Sequence, residues 1–228
     1  MKLEILPDAK GAARRAAEIV AEEMRAAVAE RGRFVLAVSG GSTPGRMLRE
    51  LSAEPGLPWQ EVHLFQVDER VAPAGHPDRN LTQLRESLLV RVPLPPEQVH
   101  PMPVEDTDLE AAAARYAGEL DAAAGAPPVV DLVHLGLGDD GHTASLVPGD
   151  PVLEVTGADV ALTRPYAGRR RMTLTFPALD RARLLLWLLT GAAKAPTLRR
   201  LRAGDPSIPA GRVRRDAALV LADAAAAS

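Results

Sequence analysis

The segment from residue 34 to residue 51, FVLAVSGGSTPGRMLREL, decides the fold class. Its first five residues are all apolar, a pattern typical of a short strand buried on both faces. A turn of serine, glycine and threonine follows, and Met47, Leu48 and Leu51 then recur at helical spacing. The segment therefore predicts a strand, a glycine turn and a helix.

The same order of elements recurs along the chain. Helices are predicted at 9–31, 80–89 and 108–124, strands at 62–67, 129–135 and 218–221, a strand pair at 171–176 and 183–189, and a further helix containing Lys194. Asp8 is expected to cap the first helix and Gly32 to end it. Alternating buried strands and amphipathic helices predict an α/β fold, in which helices cover both faces of a largely parallel sheet. The length fits a single domain spanning 1–228.

The composition excludes several classes of function. Hydrophobic residues make up 46% of the chain, which is enough for a packed core, and the formal net charge of -3 gives no general reason to bind nucleic acid or an anionic membrane. The chain has no cysteine, and therefore no disulfide, thiolate ligand or cysteine nucleophile. Charges interrupt residues 10–33, unlike a secretion signal, and the longest apolar runs are too short to cross a bilayer. We therefore expect a cytoplasmic protein.

Four turns that follow predicted strands are the candidate site. In α/β sheets ligands bind beyond the carboxyl ends of the strands, so the turns at 39–44, 68–70, 136–142 and 191–194 are expected to meet at one crevice. In the first turn, Thr43 is expected to cap a helix and Pro44 to take its first position, leaving backbone N–H groups free for a phosphate. An ordinary strand-to-helix turn is the alternative. No Gly-Lys-Ser/Thr follows, so this is not a nucleotide P-loop.

The turn at 136–142, GLGDDGH, has two interpretations. Its glycines match the fingerprint of a dinucleotide-binding oxidoreductase, but Asp139 and Asp140 would repel a pyrophosphate. Alternatively, His142 is a general base that Asp140 orients, because imidazole titrates near neutral pH. A capping histidine, or a metal site with Asp68, Asp140 and His142, is also open, although no His-x-His spacing supports a metal. His134, within the preceding strand, is expected to be structural.

The remaining candidates are charged. The carboxylates of Asp68 and Glu69 can hold Arg70 in place for an anion or a developing oxyanion, or the triplet can be a solvated ion cluster. Lys194 is one of three lysines and follows a buried strand and Gly191, where it can hold a phosphate or simply be solvated. Arg171 is weaker evidence, because two further arginines precede it.

Taken together, these motifs resemble the 6-phosphogluconolactonase family, within the superfamily that also contains glucosamine-6-phosphate deaminase. The resemblance spans nearly the whole chain, and the order and spacing of the motifs are more specific than any one of them. The matching segments are 38–44 (VSGGSTP), 67–73 (VDERVAP), 76–80 (HPDRN), 136–146 with Pro148, 171–175 (RMTLT) and 190–195.

The resemblance implies hydrolysis of 6-phospho-D-glucono-1,5-lactone, the second step of the oxidative pentose phosphate pathway, without metal or organic cofactor, on a Rossmann-like α/β fold. It implies a small-molecule partner, neither nucleic acid nor membrane, and a monomer. The expected substrate-binding residues are Ser39, Gly40, Gly41, Ser42, Thr43, Asn80, Arg171 and Lys194. The expected catalytic residues are His142 as base, Asp140 as its support, Arg70 as oxyanion stabiliser, and Asp68 to position Arg70 or to contact sugar hydroxyls.

Two rivals to the lactonase interpretation stay open. The deaminase branch predicts a glutamate five residues after the histidine, where this chain has Val147, so one acid–base group for that chemistry is missing. A non-catalytic sugar-phosphate sensor would bind substrate without turnover, but no DNA-binding helix pair is appended to the α/β elements. Both rivals make different predictions for an activity assay.

Overall fold

The computed structural model describes residues 1–228. Its ten strands are β1 Lys2–Leu6, β2 Phe34–Val38, β3 Val62–Gln66, β4 Asp68–Arg70, β5 Val99–His100, β6 Leu132–Leu135, β7 Val160–Leu162, β8 Arg171–Leu174, β9 Leu184–Leu189 and β10 Ala218–Asp223. Its seven α-helices are α1 Ala9–Arg31, α2 Ser42–Ser52, α3 Asn80–Leu84, α4 Leu109–Ala124, α5 Phe176–Asp180, α6 Ala195–Ala203 and α7 Pro209–Arg212.

Seven strands form the main sheet, in the order β1-β10-β9-β6-β2-β3-β5, and every neighbouring pair is parallel. Alternate residues of each strand face opposite sides, so the sheet separates two apolar layers. One layer packs Leu36 and Leu132 against α1 and α2, and the other packs Val35 and Val133 with α4 and α6. The α/β prediction, with helices on both faces of a largely parallel sheet, is confirmed.

The local signals at α1 act as predicted. Asp8 accepts a hydrogen bond from the Gly11 backbone N–H at 2.7 Å, and Gly32 ends the helix with a left-handed φ of +71°. Asp108 caps α4 in the same way, through the Ala111 N–H. No helix of the structure combines the length and the apolar composition needed to cross a membrane.

Three element predictions are corrected. Residues 68–70, expected as a turn, are strand β4 of a second, antiparallel sheet in the order β4-β8-β7. The strands predicted at 171–176 and 183–189 both form, but β8 lies in this second sheet and β9 in the main sheet, so they do not pair. The helix predicted over 80–89 consists of α3 followed by a π-helical turn, Arg85–Leu89. Strands β1, β5 and β7 were not predicted.

Candidate active site

A cavity of about 480 Å³ opens where β2, β6 and β9 end and where the second sheet begins. Nine of the twelve residues that the sequence nominates line it: Ser39, Gly40, Asp68, Arg70, Asn80, Asp140, His142, Arg171 and Lys194. The other three, Gly41, Ser42 and Thr43, lie beside it in the first turn of α2. The four segments that the sequence nominates therefore meet at one crevice, as expected for the carboxyl edge of a parallel sheet, although 68–70 is a strand there and not a turn.

The turn between β2 and α2 differs in detail from the prediction. Thr43 does not cap α2: the helix begins at Ser42, its N-cap is Gly41 at φ +122°, and no side chain caps it. The Thr43 hydroxyl instead lies 3.2 Å from the hydroxyl of Thr190, and Pro44 is the third residue of the helix, not the first. The Ser42 and Thr43 N–H groups have no acceptor within the helix and can still meet an anion.

Glycine is required at position 40, just before this helix, for a steric reason. A Cβ on Gly40 would lie 1.9 Å from the side-chain oxygen of Asn80, so no other residue fits while Asn80 keeps its place. Ser39 is buried, and its hydroxyl donates to the His134 carbonyl at 3.0 Å. The Gly41 N–H donates to the Gln83 side chain at 2.8 Å. Hydrogen bonds from the Ser39 hydroxyl and the Gly41 N–H therefore hold the turn in place. They use none of the N–H groups at the start of α2.

Strand β4 places Asp68 and Arg70 at the cavity through different partners. The buried Asp68 carboxylate accepts from the Ser145 hydroxyl at 2.6 Å and from the Asn80 amide at 3.1 Å. The Asn80 oxygen in turn accepts from the Arg70 guanidinium at 2.5 Å, and the Asp78 carbonyl accepts from it at 2.9 Å. The carboxylates of the triplet therefore do not contact the guanidinium, contrary to the sequence interpretation.

Glu69, the middle residue of the triplet, is fully buried and has a structural role. Its carboxylate accepts from the backbone N–H groups of Asn80 and Leu81, each at 2.8 Å, and so caps α3. It also accepts from the Arg70 N–H at 2.7 Å and lies 3.1 Å from the Arg79 guanidinium. Glu69 thus fixes the backbone on which Asn80 and Arg70 stand.

The loop after β6 is wrapped around His142. The imidazole Nδ1 lies 2.6 Å from one carboxylate oxygen of Asp140, and a Cβ on Gly138 would lie 2.1 Å from the same Nδ1. Gly138 therefore provides the space that the imidazole occupies. No helix follows this loop directly, since the next residues form turns up to a short 3₁₀ helix at Pro151–Glu154. The dinucleotide interpretation fails here, because its pyrophosphate site needs a helix N-terminus at this loop.

Tyr166 belongs to the site, although the sequence analysis missed it. Its hydroxyl donates to the second carboxylate oxygen of Asp140 at 2.9 Å. Burial acts to raise the pKa of Asp140, but hydrogen bonds from the His142 backbone and imidazole and from Tyr166 outweigh it, and the pKa is lowered from its usual value. An ionised Asp140 can only accept, so Nδ1 of His142 carries a proton and Nε2 is left as the basic nitrogen.

Three cations line the same cavity. Arg171 is buried, its Nε has no hydrogen-bond partner, and its terminal nitrogen lies 3.5 Å from the Ser145 hydroxyl. Burial lowers the pKa of Arg171, the neighbouring Asp68 opposes this, and Arg70 adds to it. Lys194 is the last residue of a short 3₁₀ helix, and its ammonium lies 2.6 Å from the Asp139 carboxylate. An anionic ligand can therefore be held by charge on two sides of the cavity.

The side chains that the sequence left open as a metal site, Asp68, Asp140 and His142, are arranged with other partners. No group of three or more histidine, aspartate or glutamate side chains has the arrangement to hold a metal ion. Asp68 is committed to Ser145 and Asn80, while Asp140 is committed to His142 and Tyr166. These pairings give each carboxylate an orienting role instead.

The fold and the site define an α/β enzyme with a histidine–aspartate pair at a crevice lined by three cationic side chains. Residues 7–221 match the sequence model of the family described as glucosamine-6-phosphate isomerases/6-phosphogluconolactonase. The chain belongs to this family.

Several similar proteins within the family are named 6-phosphogluconolactonase. The chain is 42% identical over 188 residues to the 6-phosphogluconolactonase of Synechocystis sp., covering 81% of this chain and 78% of that protein. It is 41% identical to the 6-phosphogluconolactonase of Mycobacterium tuberculosis, covering 99% and 97%. The crystal structure of 6-phosphogluconolactonase from Thermotoga maritima superposes with a TM-score of 0.87 at 28% identity, covering 97% of this chain and 98% of that chain.

Proposed function

We propose that the protein hydrolyses 6-phospho-D-glucono-1,5-lactone to 6-phospho-D-gluconate, the second step of the oxidative pentose phosphate pathway, in the cytoplasm. The similarity to 6-phosphogluconolactonases over nearly the full chain supports this substrate. The observation that carries the mechanism is the 2.6 Å contact between His142 Nδ1 and Asp140 in a cavity lined by Arg70, Arg171 and Lys194.

His142 is the general base of the proposed reaction. Its Nε2 removes a proton from water as the water oxygen attacks the lactone carbonyl carbon, and Asp140 stabilises the imidazolium that forms. The bond from the carbonyl carbon to the ring oxygen then breaks, and the imidazolium returns its proton to that oxygen. Water is the only co-reactant, and His142 returns to its starting protonation state at the end of the reaction.

The cations divide between the two ends of the substrate. Arg70 stabilises the oxyanion of the tetrahedral intermediate, because Asn80 and the Asp78 carbonyl hold its guanidinium at the cavity wall. Asp68 acts through Asn80, which supports the positioning role of this carboxylate over direct contact with sugar hydroxyls. Lys194, Arg171 and the N–H groups at the start of α2 bind the phosphate.

The test is the rate of lactone disappearance with a chelator present, corrected for spontaneous opening by a blank without enzyme. The wild type is compared with His142→Ala and with the control His100→Ala, a histidine at the sheet edge outside the cavity. Removal of the base should lower the rate on the order of a hundred-fold or more. His142→Ala should still bind 6-phosphogluconate, and the control should retain wild-type activity. Equal rates in the two variants would refute the base assignment.

The same assay separates the rival functions. Val147 is buried at the position where the deaminase branch is expected to have a glutamate, which argues against loss of an amine. Ammonia release from glucosamine-6-phosphate by the wild type would favour that branch. Binding of 6-phosphogluconate without acceleration over the blank would favour the sensor.

A further inference from the structure

A tight hairpin turn carries Tyr166 over the cavity. Tyr166 and Arg169 pair at the turn, with the Tyr166 N–H donating to the Arg169 carbonyl at 2.9 Å. The two residues between them, Ala167 and Gly168, have φ values of +50° and +81°. Two successive left-handed residues match the twist of a two-residue hairpin, so the turn has a defined geometry and gives Tyr166 a fixed backbone.

The Tyr166 side chain contacts both functional groups of the proposed site. Its hydroxyl donates to Asp140 at 2.9 Å, and its ring meets the His142 imidazole edge to face, with centroids 5.6 Å apart. The Arg171 guanidinium lies over the face of the same ring, with Cζ 4.9 Å from the centroid. One aromatic side chain therefore joins the acid–base pair to a cation of the anion-binding region.

We propose that Tyr166 is a positioning residue with two separable roles: its hydroxyl fixes the Asp140 carboxylate behind His142, and its ring holds the Arg171 guanidinium toward the substrate. This inference rests on the proposed lactone hydrolysis and deepens it. The two roles use different parts of one side chain, so they can be removed one at a time.

The hydroxyl role follows from the geometry of Asp140. One carboxylate oxygen accepts from the His142 imidazole and backbone N–H, and Tyr166 supplies a protein donor to the other oxygen. Without that donor, the partly exposed carboxylate is free to turn about its Cβ–Cγ bond, and the imidazole loses its single orientation. Nε2 would then face the attacking water in only a fraction of the molecules.

The ring role follows from the sparse bonding of Arg171. This buried guanidinium has an Nε without a partner and only a long contact, 3.5 Å, to Ser145. The carboxylate that attracts it most strongly, Asp68, is already bound to Ser145 and Asn80. The negative face of an aromatic ring attracts a guanidinium, so Tyr166 keeps the cation in place without neutralising it.

The experiment compares Tyr166→Phe, which keeps the ring, with Tyr166→Leu, which removes both parts. Arg164→Gln, in the same hairpin but outside the cavity, is the matched control. Loss of the hydroxyl should lower kcat about ten-fold, the usual scale for a hydrogen bond to a charged group, and leave KM within about two-fold. Loss of the ring should in addition raise KM about three- to thirty-fold.

A second readout does not depend on turnover. Nitrogen NMR of the His142 imidazole should report one tautomer, protonated at Nδ1, in the wild type and a mixture in Tyr166→Phe. Unchanged tautomers together with an unchanged kcat in Tyr166→Phe would overturn the hydroxyl role, and an unchanged KM in Tyr166→Leu would overturn the ring role. If the wild type does not hydrolyse the lactone but the tautomers change as expected, the positioning role stands and the proposed function falls. In that case the ring role is tested by the affinity for 6-phosphogluconate. Thermal melting confirms that each variant is folded.

Discussion

His134 gives the sharpest prediction about stability. It lies in β6, fully buried, two residues after the equally buried Leu132 and on the same face of the strand. Neither ring nitrogen has a hydrogen-bond partner. Burial lowers the pKa of its imidazole from 6.5 to about 4, because no partner or water solvates the charged form. His134 is therefore neutral in the folded protein near pH 7, consistent with the structural role expected from the sequence.

The sign of the pH dependence follows from the lower pKa of the folded state. As the pH falls below 6.5, the unfolded chain binds a proton at His134 before the folded chain does, so the free energy of unfolding decreases. This contribution is fully present above the unfolded pKa and is lost progressively until the pH reaches the folded pKa. The full difference corresponds to about 3 kcal/mol, of which about 2 kcal/mol is lost by the time the pH has fallen to about 5.

Urea unfolding of the wild type, His134→Leu and Leu132→Val across this pH range tests the reasoning. Between about pH 7.5 and about pH 5, the wild type should lose about 2 kcal/mol more than His134→Leu, which has no proton to bind at this position. Leu132→Val should be less stable at every pH but parallel to the wild type, since it leaves the imidazole in place. If wild type and His134→Leu depend on pH identically, the imidazole is hydrated or paired in solution and the argument is refuted.

Two further predictions concern the loop after β6. In Gly138→Ala, the added Cβ collides with His142 Nδ1, so kcat should fall on the order of a hundred-fold while the melting temperature changes little, as steady-state kinetics and calorimetry would show. A nearly normal kcat would mean that the loop relaxes around the methyl group. In Asp139→Asn, the Lys194 ammonium loses its 2.6 Å ion pair, which a bound phosphate would otherwise have to displace. The Kd of 6-phosphogluconate, measured by calorimetry, should fall about two- to five-fold, the scale of an exposed pair. A weaker affinity would instead mean that Asp139 holds Lys194 in position.

The main sheet could be predicted because its strands carry their own signal. β2, β6 and β9 are almost wholly apolar and buried. A strand buried on both faces of a sheet needs consecutive apolar residues, and such a run can be recognised in the sequence. β1, at the sheet edge, has no fully buried residue, and the charged Lys2 and Glu4 interrupt its apolar ones, so it carries no such run. The polar strand β4 exists because Asp68 pairs with Thr173, far along the chain, and no local pattern announces that partner.

The site shows the same division between local and distant causes. His142 and Asp140 are two residues apart, so the sequence could nominate them as an acid–base pair. For Glu69 the sequence leaves two interpretations open, a carboxylate that holds Arg70 or one charge of a solvated cluster. Neither is right, because its partners, the first N–H groups of α3, reach it only once the chain returns to β4.

Tyr166 had no motif at all, since its contacts to Asp140 and Arg171 arise from the hairpin between β7 and β8, which brings it to the loop after β6. Residues that perform chemistry are constrained in type and spacing, and a sequence can reveal them. Residues that position the chemistry are constrained by where two distant segments meet, which only the folded structure can show. In this chain the positioning residues Glu69 and Tyr166 both lie in or beside the second sheet, which itself carries Arg70 and Arg171. That sheet therefore supplies two of the cations and also orients the Asp140–His142 pair of the loop after β6.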